Sequence, residues 1–111
     1  MELWTDSFLE YLAAERNYSS ATIESYAKDL AMFQDFMEGL NPEASWTTVQ
    51  SDDVREWVIY LLDEQRLAAS SVNRKLSALR TLYRYLRRVE RVGTNPMEKV
   101  TAPKKRKPLP H

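Results

Sequence analysis

The chain has 111 residues, 43% hydrophobic and 11% aromatic, which is one domain with apolar material for a single modest core. It has no cysteine, one histidine at the last position and two glycines, which excludes disulfides, zinc–thiolate sites, thiol catalysis, histidine pairs and a glycine-rich phosphate loop. The net charge is zero, but residues 1–66 hold 14 of 16 acids and 4 of 16 bases, a balance of −10 against +10 for residues 67–111, and such asymmetry points to a polyanionic partner such as nucleic acid.

Apolar spacing is helical along the whole chain, with no alternating strand pattern of useful length. Trp4, Phe8, Tyr11 and Leu12 share one face and predict a first helix over about residues 3–15. Ser19 or Ser20 is the expected N-cap of a second helix whose face carries Ile23, Tyr26, Leu30, Phe33 and Met37, stopping at Gly39 before Asn41-Pro42. Ser51, followed by Asp52 and Asp53, opens a third helix with Val54, Trp57, Val58, Leu61 and Leu62 as its buried face. The fourth is expected from about Ala69 to about Val92, ending at Gly93 before Thr94-Asn95-Pro96, so that both glycines fall at helix stops. Residues Met97–Val100 suit one further short turn, and Thr101-Ala-Pro-Lys-Lys-Arg-Lys-Pro-Leu-Pro110 reads as an extended basic tail. No internal repeat is evident in the sequence. The coarse architecture is a four-helix bundle with a basic tail.

The longest apolar run, Trp57-Val-Ile-Tyr-Leu-Leu62, is far short of a membrane span, and Met1-Glu2-Leu3-Trp4 lacks the order of a signal peptide. The expectation is a soluble cytoplasmic domain with no membrane partner and no cofactor. The six tyrosines have no clustered activating base beside them, so catalysis by this chain alone is not expected.

Wound at about 100° per residue from Ser70, helix four places Val72, Leu76, Leu79, Leu82, Tyr83 and Leu86 between about 120° and 240°. The opposite arc holds Asn73, Arg74, Ser77, Arg80, Thr81, Arg84, Arg87, Arg88 and Arg91, with Lys75 at the edge of the apolar side. Such side chains suit phosphate oxygens and base edges in a major groove. Arg80–Arg84, Arg84–Arg88 and Arg87–Arg91 are repulsive i, i+4 pairs, each costing a few tenths of a kcal/mol, and the lone acid, Glu90, is placed toward the apolar side. Two explanations stand: a polyanion neutralises the stripe, or acids of residues 1–66 pair with it across the bundle.

The run Arg74-Lys-Leu-Ser-Ala-Leu-Arg-Thr-Leu-Tyr-Arg-Tyr-Leu86, then Thr94-Asn-Pro96 and Pro103-Lys-Lys-Arg-Lys-Pro-Leu-Pro110, resembles the N-terminal core-binding domain of tyrosine recombinases, the phage-type integrases and Xer-type recombinases. Phe8-Leu-Glu-Tyr-Leu12, Glu15-Arg16, Ser19-Ser-Ala-Thr-Ile-Glu-Ser-Tyr-Ala-Lys-Asp-Leu30 and Ser51-Asp-Asp-Val-Arg-Glu-Trp57 agree with its earlier helices, in order, over essentially the whole chain. The resemblance implies an all-α, four- to five-helix orthogonal bundle of the SAM-like type over residues 1–101. Residues 102–111 would be a basic linker toward a C-terminal catalytic domain that this chain lacks. It further implies duplex DNA as partner at a recombination half-site, and other protomers in a tetrameric synapse of the full-length enzyme. Asn73, Arg74, Ser77, Arg80 and Arg84 would face DNA, with Arg87 and Arg88 continuing the stripe. In the second helix Ser20, Thr22, Tyr26 and Lys28 match the segment that approaches the backbone. Ser20 is equally suited to N-capping and the Tyr26 ring to core packing. Lys104, Lys105, Arg106 and Lys107 would meet phosphates from the linker. The family has a capping Ser or Thr before the fourth helix where this chain has Ala68-Ala69, which leaves the helix start open by a residue or two. The rival class is a helical interaction module docking an acidic partner.

Overall fold

The computed structural model describes residues 4–93 and 95–100, with side chains from Asp6 onward. Among the described residues there are four helices, α1 (Trp4–Ala14), α2 (Ser20–Leu40), α3 (Ser51–Asp63) and α4 (Ala69–Arg88), then a 3₁₀ turn over Pro96–Lys99, and no strand. The expected all-α bundle is what forms. The Trp4 side chain, the domain boundary expected at residues 101–102, and Lys104, Lys105, Arg106 and Lys107 lie outside the described residues.

Helix α4 is central, packing against α1, α2, α3 and the 3₁₀ turn. All six residues that its periodicity assigns to the core, Val72, Leu76, Leu79, Leu82, Tyr83 and Leu86, are fully buried. Each such side chain contributes about 1.5–3 kcal/mol on burial, so this one face outweighs the arginine repulsion opposite it. The Phe33 ring lies 5.0 Å from Trp57 and 5.8 Å from Trp46. Trp46 belongs to the loop between α2 and α3, yet it is fully buried, and its carbonyl accepts a 2.8 Å hydrogen bond from the Tyr83 hydroxyl. At the other side of α4, the Tyr85 ring packs at a tilt against Phe8 (5.7 Å) and Tyr11 (4.8 Å) of α1.

The helix ends depart from expectation in an instructive way. Helix α2 runs through Gly39 to Leu40, where the Asn41 N–H bonds to the Met37 carbonyl and Pro42 blocks continuation. Helix α4 stops at Arg88, short of the expected Val92, because Glu90 turns left-handed (φ 60°) and the Arg91 N–H returns 2.8 Å to the Leu86 carbonyl. Neither glycine has a positive φ; Asn17, Arg66 and Glu90 take that conformation instead. Glu90 is therefore exposed beyond the helix, not directed at the apolar side, and α4 itself contains no acid.

The α1–α2 and α3–α4 connections follow the same backbone course, although no sequence repeat announces it. In each, a left-handed residue (Asn17, Arg66) is followed by an N–H returning to the preceding helix, Tyr18 to Leu12 at 3.1 Å and Leu67 to Leu61 at 3.0 Å. The next N-caps have nearly equal dihedrals, −65° and 155° at Ser19, −68° and 153° at Ala68. Ser19 Oγ accepts from the Thr22 N–H at 3.2 Å, whereas Ala68 has no side chain to do so. Helix α4 thus begins where its apolar pattern begins, uncapped. In α3 the Asp53 carboxylate accepts the N–H of the N-cap residue Gln50 at 2.8 Å. Ser51 instead donates its hydroxyl to the Pro96 carbonyl at 2.6 Å, and Arg55 donates to the Lys99 carbonyl at 2.7 Å. Those two bonds fasten the 3₁₀ turn, one residue earlier than expected, beside the C-terminal half of α4.

Candidate nucleic-acid interface

The face of α4 opposite the core presents Asn73, Ser77 and Arg80, half-buried, and Arg74, Arg84, Arg87 and Arg88, exposed. Its cations divide by partner. Lys75 is buried at 5% exposure and donates to Asp29 Oδ1 of α2 at 2.8 Å; Arg74 Nη2 lies 3.5 Å from the same oxygen. Arg87 pairs with Glu98 of the 3₁₀ turn at 2.6 Å. Arg88 is 4.0 Å from Glu15 and 5.9 Å from the Tyr11 ring centroid. Pairing with acids of residues 1–66 across the bundle therefore holds for Arg74 and Arg88, whereas Arg87 pairs with Glu98 of the basic half itself. Neither kind of pairing reaches Arg80 or Arg84, which have no carboxylate within ion-pair distance among the described residues.

Two grooves flank the line of Arg84 and Arg88. The larger, about 560 Å³, runs between α4 and the 3₁₀ turn and is bordered by Arg80, Arg84, Arg87 and Arg88, with Asn95, Met97 and Glu98 opposite. Four guanidiniums against one carboxylate leave it positive, since an exposed pair such as Arg87–Glu98 is worth at most about 1 kcal/mol. The smaller, about 110 Å³, lies between the α1–α2 turn and α4. Arg84 and Arg88 border it too, joined by Arg16, whose guanidinium sits 5.8 Å from the Tyr18 ring centroid. Hydrogen bonding to Tyr18, then the charge interactions with Tyr18 and Tyr11, raise the Arg16 guanidinium above its ordinary value.

The second-helix candidates sit elsewhere. Ser20 is the first residue of α2 and exposed, the capping role having gone to Ser19; Thr22 is half-buried with its hydroxyl 2.9 Å from that of Ser19. Tyr26 packs edge-on to Tyr18 at 5.9 Å, and Lys28 is exposed 3.8 Å from Glu24. None of these four borders either groove. Sequence reasoning missed Arg16, which follows a helix end inside the acidic half, and Asp29, a buried acid on an otherwise apolar face. The available signal was the position of Asp29, three residues after Tyr26 and four before Phe33, which is the spacing of that apolar face. Among the described residues no group of His, Cys, Asp or Glu is placed to hold a metal ion, and no helix is long and apolar enough to cross a membrane.

The profile of the phage integrase N-terminal SAM-like domain matches residues 5–90. Tyrosine recombinase XerC of Oceanobacillus iheyensis is 43% identical over 112 residues, covering 99% of this chain and 35% of the relative. The proteins of the same name from Pediococcus pentosaceus and Staphylococcus aureus are 38% and 39% identical, covering 94% and 95% of the chain and 34% of each relative. The chain thus spans about a third of the length of the curated relatives it matches. No solved structure matches it. With its four helices in the expected order and the match spanning all of them, the chain belongs to the phage integrase N-terminal SAM-like domain family.

Proposed function

We propose that this domain binds duplex DNA at a recombination half-site through the arginine face of α4, as the DNA-binding part of a site-specific tyrosine recombinase. The observation that carries the reading is the ridge of Arg80 and Arg84: two cations on a rigid helix, on the face opposite the core, without an acid partner among the described residues. Like-charge pairs on an acid-free helix are costly until a polyanion neutralises them. Arg87 and Arg88, held by exposed pairs of low worth, exchange their carboxylates for phosphates at little cost. Asn73, Arg74 and Ser77 extend the contact toward the start of α4, and Ser20, Thr22, Tyr26 and Lys28 approach the backbone from α2. Residues 1–101 form the binding domain, and residues 102–111 a linker whose Lys104, Lys105, Arg106 and Lys107 meet phosphates on the way to a catalytic domain. The relatives are named as tyrosine recombinases, which supports assigning strand cleavage and multimeric synapsis on DNA to the full-length parent and not to this domain.

Phosphate contacts supply most of the affinity in this reading, and a few side chains such as Asn73, Arg80 and Arg84 supply sequence preference. Titration of fluorescently labelled duplex at several salt concentrations tests it. Neutralising about five phosphates gives a log–log slope near −4.5. Equal binding at all salt concentrations, or none at low salt, would contradict it. Competition by an acidic protein but not by duplex DNA would move the assignment to a protein-interaction module.

A further inference from the structure

The small groove between the α1–α2 turn and α4 differs from the large one in composition. Arg16, Arg84 and Arg88 border it and no carboxylate does, whereas Glu98 borders the large groove. Three guanidiniums facing one small space repel each other, and an oxyanion placed among them removes that repulsion. The volume, about 110 Å³, is roughly that of three or four water molecules, which suits a single phosphate group.

Two of the three cations are steadied in a way that leaves them available. Arg16 lies over the Tyr18 ring and Arg88 over the Tyr11 ring. Arg88 also donates from Nη1 to the Tyr11 hydroxyl at 3.5 Å, but a guanidinium carries five N–H donors and keeps others for a further acceptor. The nearest competing carboxylate is Glu15, 4.0 Å from Arg88 with both groups exposed, a pair too weak to hold the guanidinium against a phosphate. Helix α1 is held against α4 by the contact of Tyr11 with Tyr85 at 4.8 Å, and the turn is tied to α1 by the Tyr18 N–H on the Leu12 carbonyl at 3.1 Å, so the groove is part of the folded bundle.

We propose that Arg16, Arg84 and Arg88 clamp one backbone phosphate of the bound nucleic acid in this groove. The inference rests on the DNA-binding reading of α4 and adds to it a contact from the acidic half of the chain. Its consequence is geometric: a phosphate held between the α1–α2 turn and α4 fixes the rotation of the duplex about the α4 axis, which the ridge alone leaves free.

Two measurements test the clamp. In the first, inorganic phosphate is titrated into the domain at constant ionic strength while the arginine Nε–H resonances are followed by NMR. Phosphate, but not chloride, shifts those of Arg16, Arg84 and Arg88 together with one dissociation constant, and Arg16→Ala weakens the response of the other two at least about threefold. In the second, Arg16→Ala and Arg16→Gln lower duplex affinity about three- to tenfold at low salt, with the melting temperature kept because Arg16 is exposed. If both Arg16 variants bind duplex like the unaltered domain while Arg80→Ala does not, the clamp is wrong and the DNA-binding reading stands. If the unaltered domain binds no duplex, that reading falls and the phosphate titration decides: joint shifts of the three arginines keep the clamp as a phosphate site, and their absence overturns it.

Discussion

Replacing Lys75 with methionine removes the cation from the one buried ion pair that joins α2 to α4. Asp29 is 2% exposed and Lys75 5%, and the ammonium donates to Asp29 Oδ1 at 2.8 Å and lies 3.4 Å from Met32 Sδ. At that separation and an effective dielectric of about 20, the Coulomb attraction is about 6 kcal/mol before desolvation, which takes back several kcal/mol per ion. What the variant loses is not the small remainder. It leaves a buried carboxylate whose nearest cation, Arg74, stands 3.5 Å away on a half-exposed side chain, and whose Oδ2 already has no hydrogen-bond partner. Breaking one side of such a pair costs about 3–5 kcal/mol. We expect the lower end, since Arg74 can close on Asp29, which corresponds to a fall in melting temperature of at least about 12 °C for a domain of this size. Urea unfolding followed by tryptophan fluorescence reports it directly, because Trp46 and Trp57 are both buried. The double variant Asp29→Leu/Lys75→Met, which removes both charges, should recover most of the loss. A loss below about 1 kcal/mol for Lys75→Met, or a double variant no better than the single, would refute the account of this pair as a buried, mutually dependent contact.

Two further outcomes follow from the geometry of the caps and the large groove. Ala68→Ser supplies the hydroxyl that Ser19 supplies to α2, at dihedrals that differ by 3° or less, and should stabilise the domain by about 1 kcal/mol in the same urea titration. Glu98→Gln removes the single carboxylate of the large groove and frees Arg87, so duplex affinity at low salt should rise about two- to fivefold while stability changes by no more than about 1 kcal/mol.

Much of the fold was legible because α4 follows one helical period without interruption, and the six positions it assigns to the core are all buried, joined by Ala78 and Lys75. Its end was not legible. Val89 and Val92 continue the apolar spacing past Arg88, and nothing in a glutamate signals the left-handed turn at Glu90 that stops the helix. Trp46 was hidden for the opposite reason: an isolated aromatic among polar loop residues has no period, and it enters the core because the loop folds back over Tyr83. The charge division pointed to a basic face, yet each of the two explanations it left open treated the arginine stripe as a unit. Pairing of Arg74 with Asp29 and of Arg88 with Glu15 depends on packing between helices far apart in the chain. Arg16 stood in the sequence only as part of a matching Glu15-Arg16 pair with no role assigned, since a base within an acidic half reads as part of that half until the turn carries it to α4.

The central claim is that the acid-free arginines of α4 serve DNA and not the bundle, and Arg84→Ala tests it most directly when duplex affinity and melting temperature are measured on one preparation. Arg84 is exposed, borders both grooves and has no carboxylate partner among the described residues. The account predicts a fall in low-salt duplex affinity of about tenfold, a salt slope shallower by about 0.9, and a melting temperature within about 4 °C of the unaltered domain. An unchanged affinity together with a large drop in melting temperature would contradict it and return the arginine face to the bundle's own electrostatics.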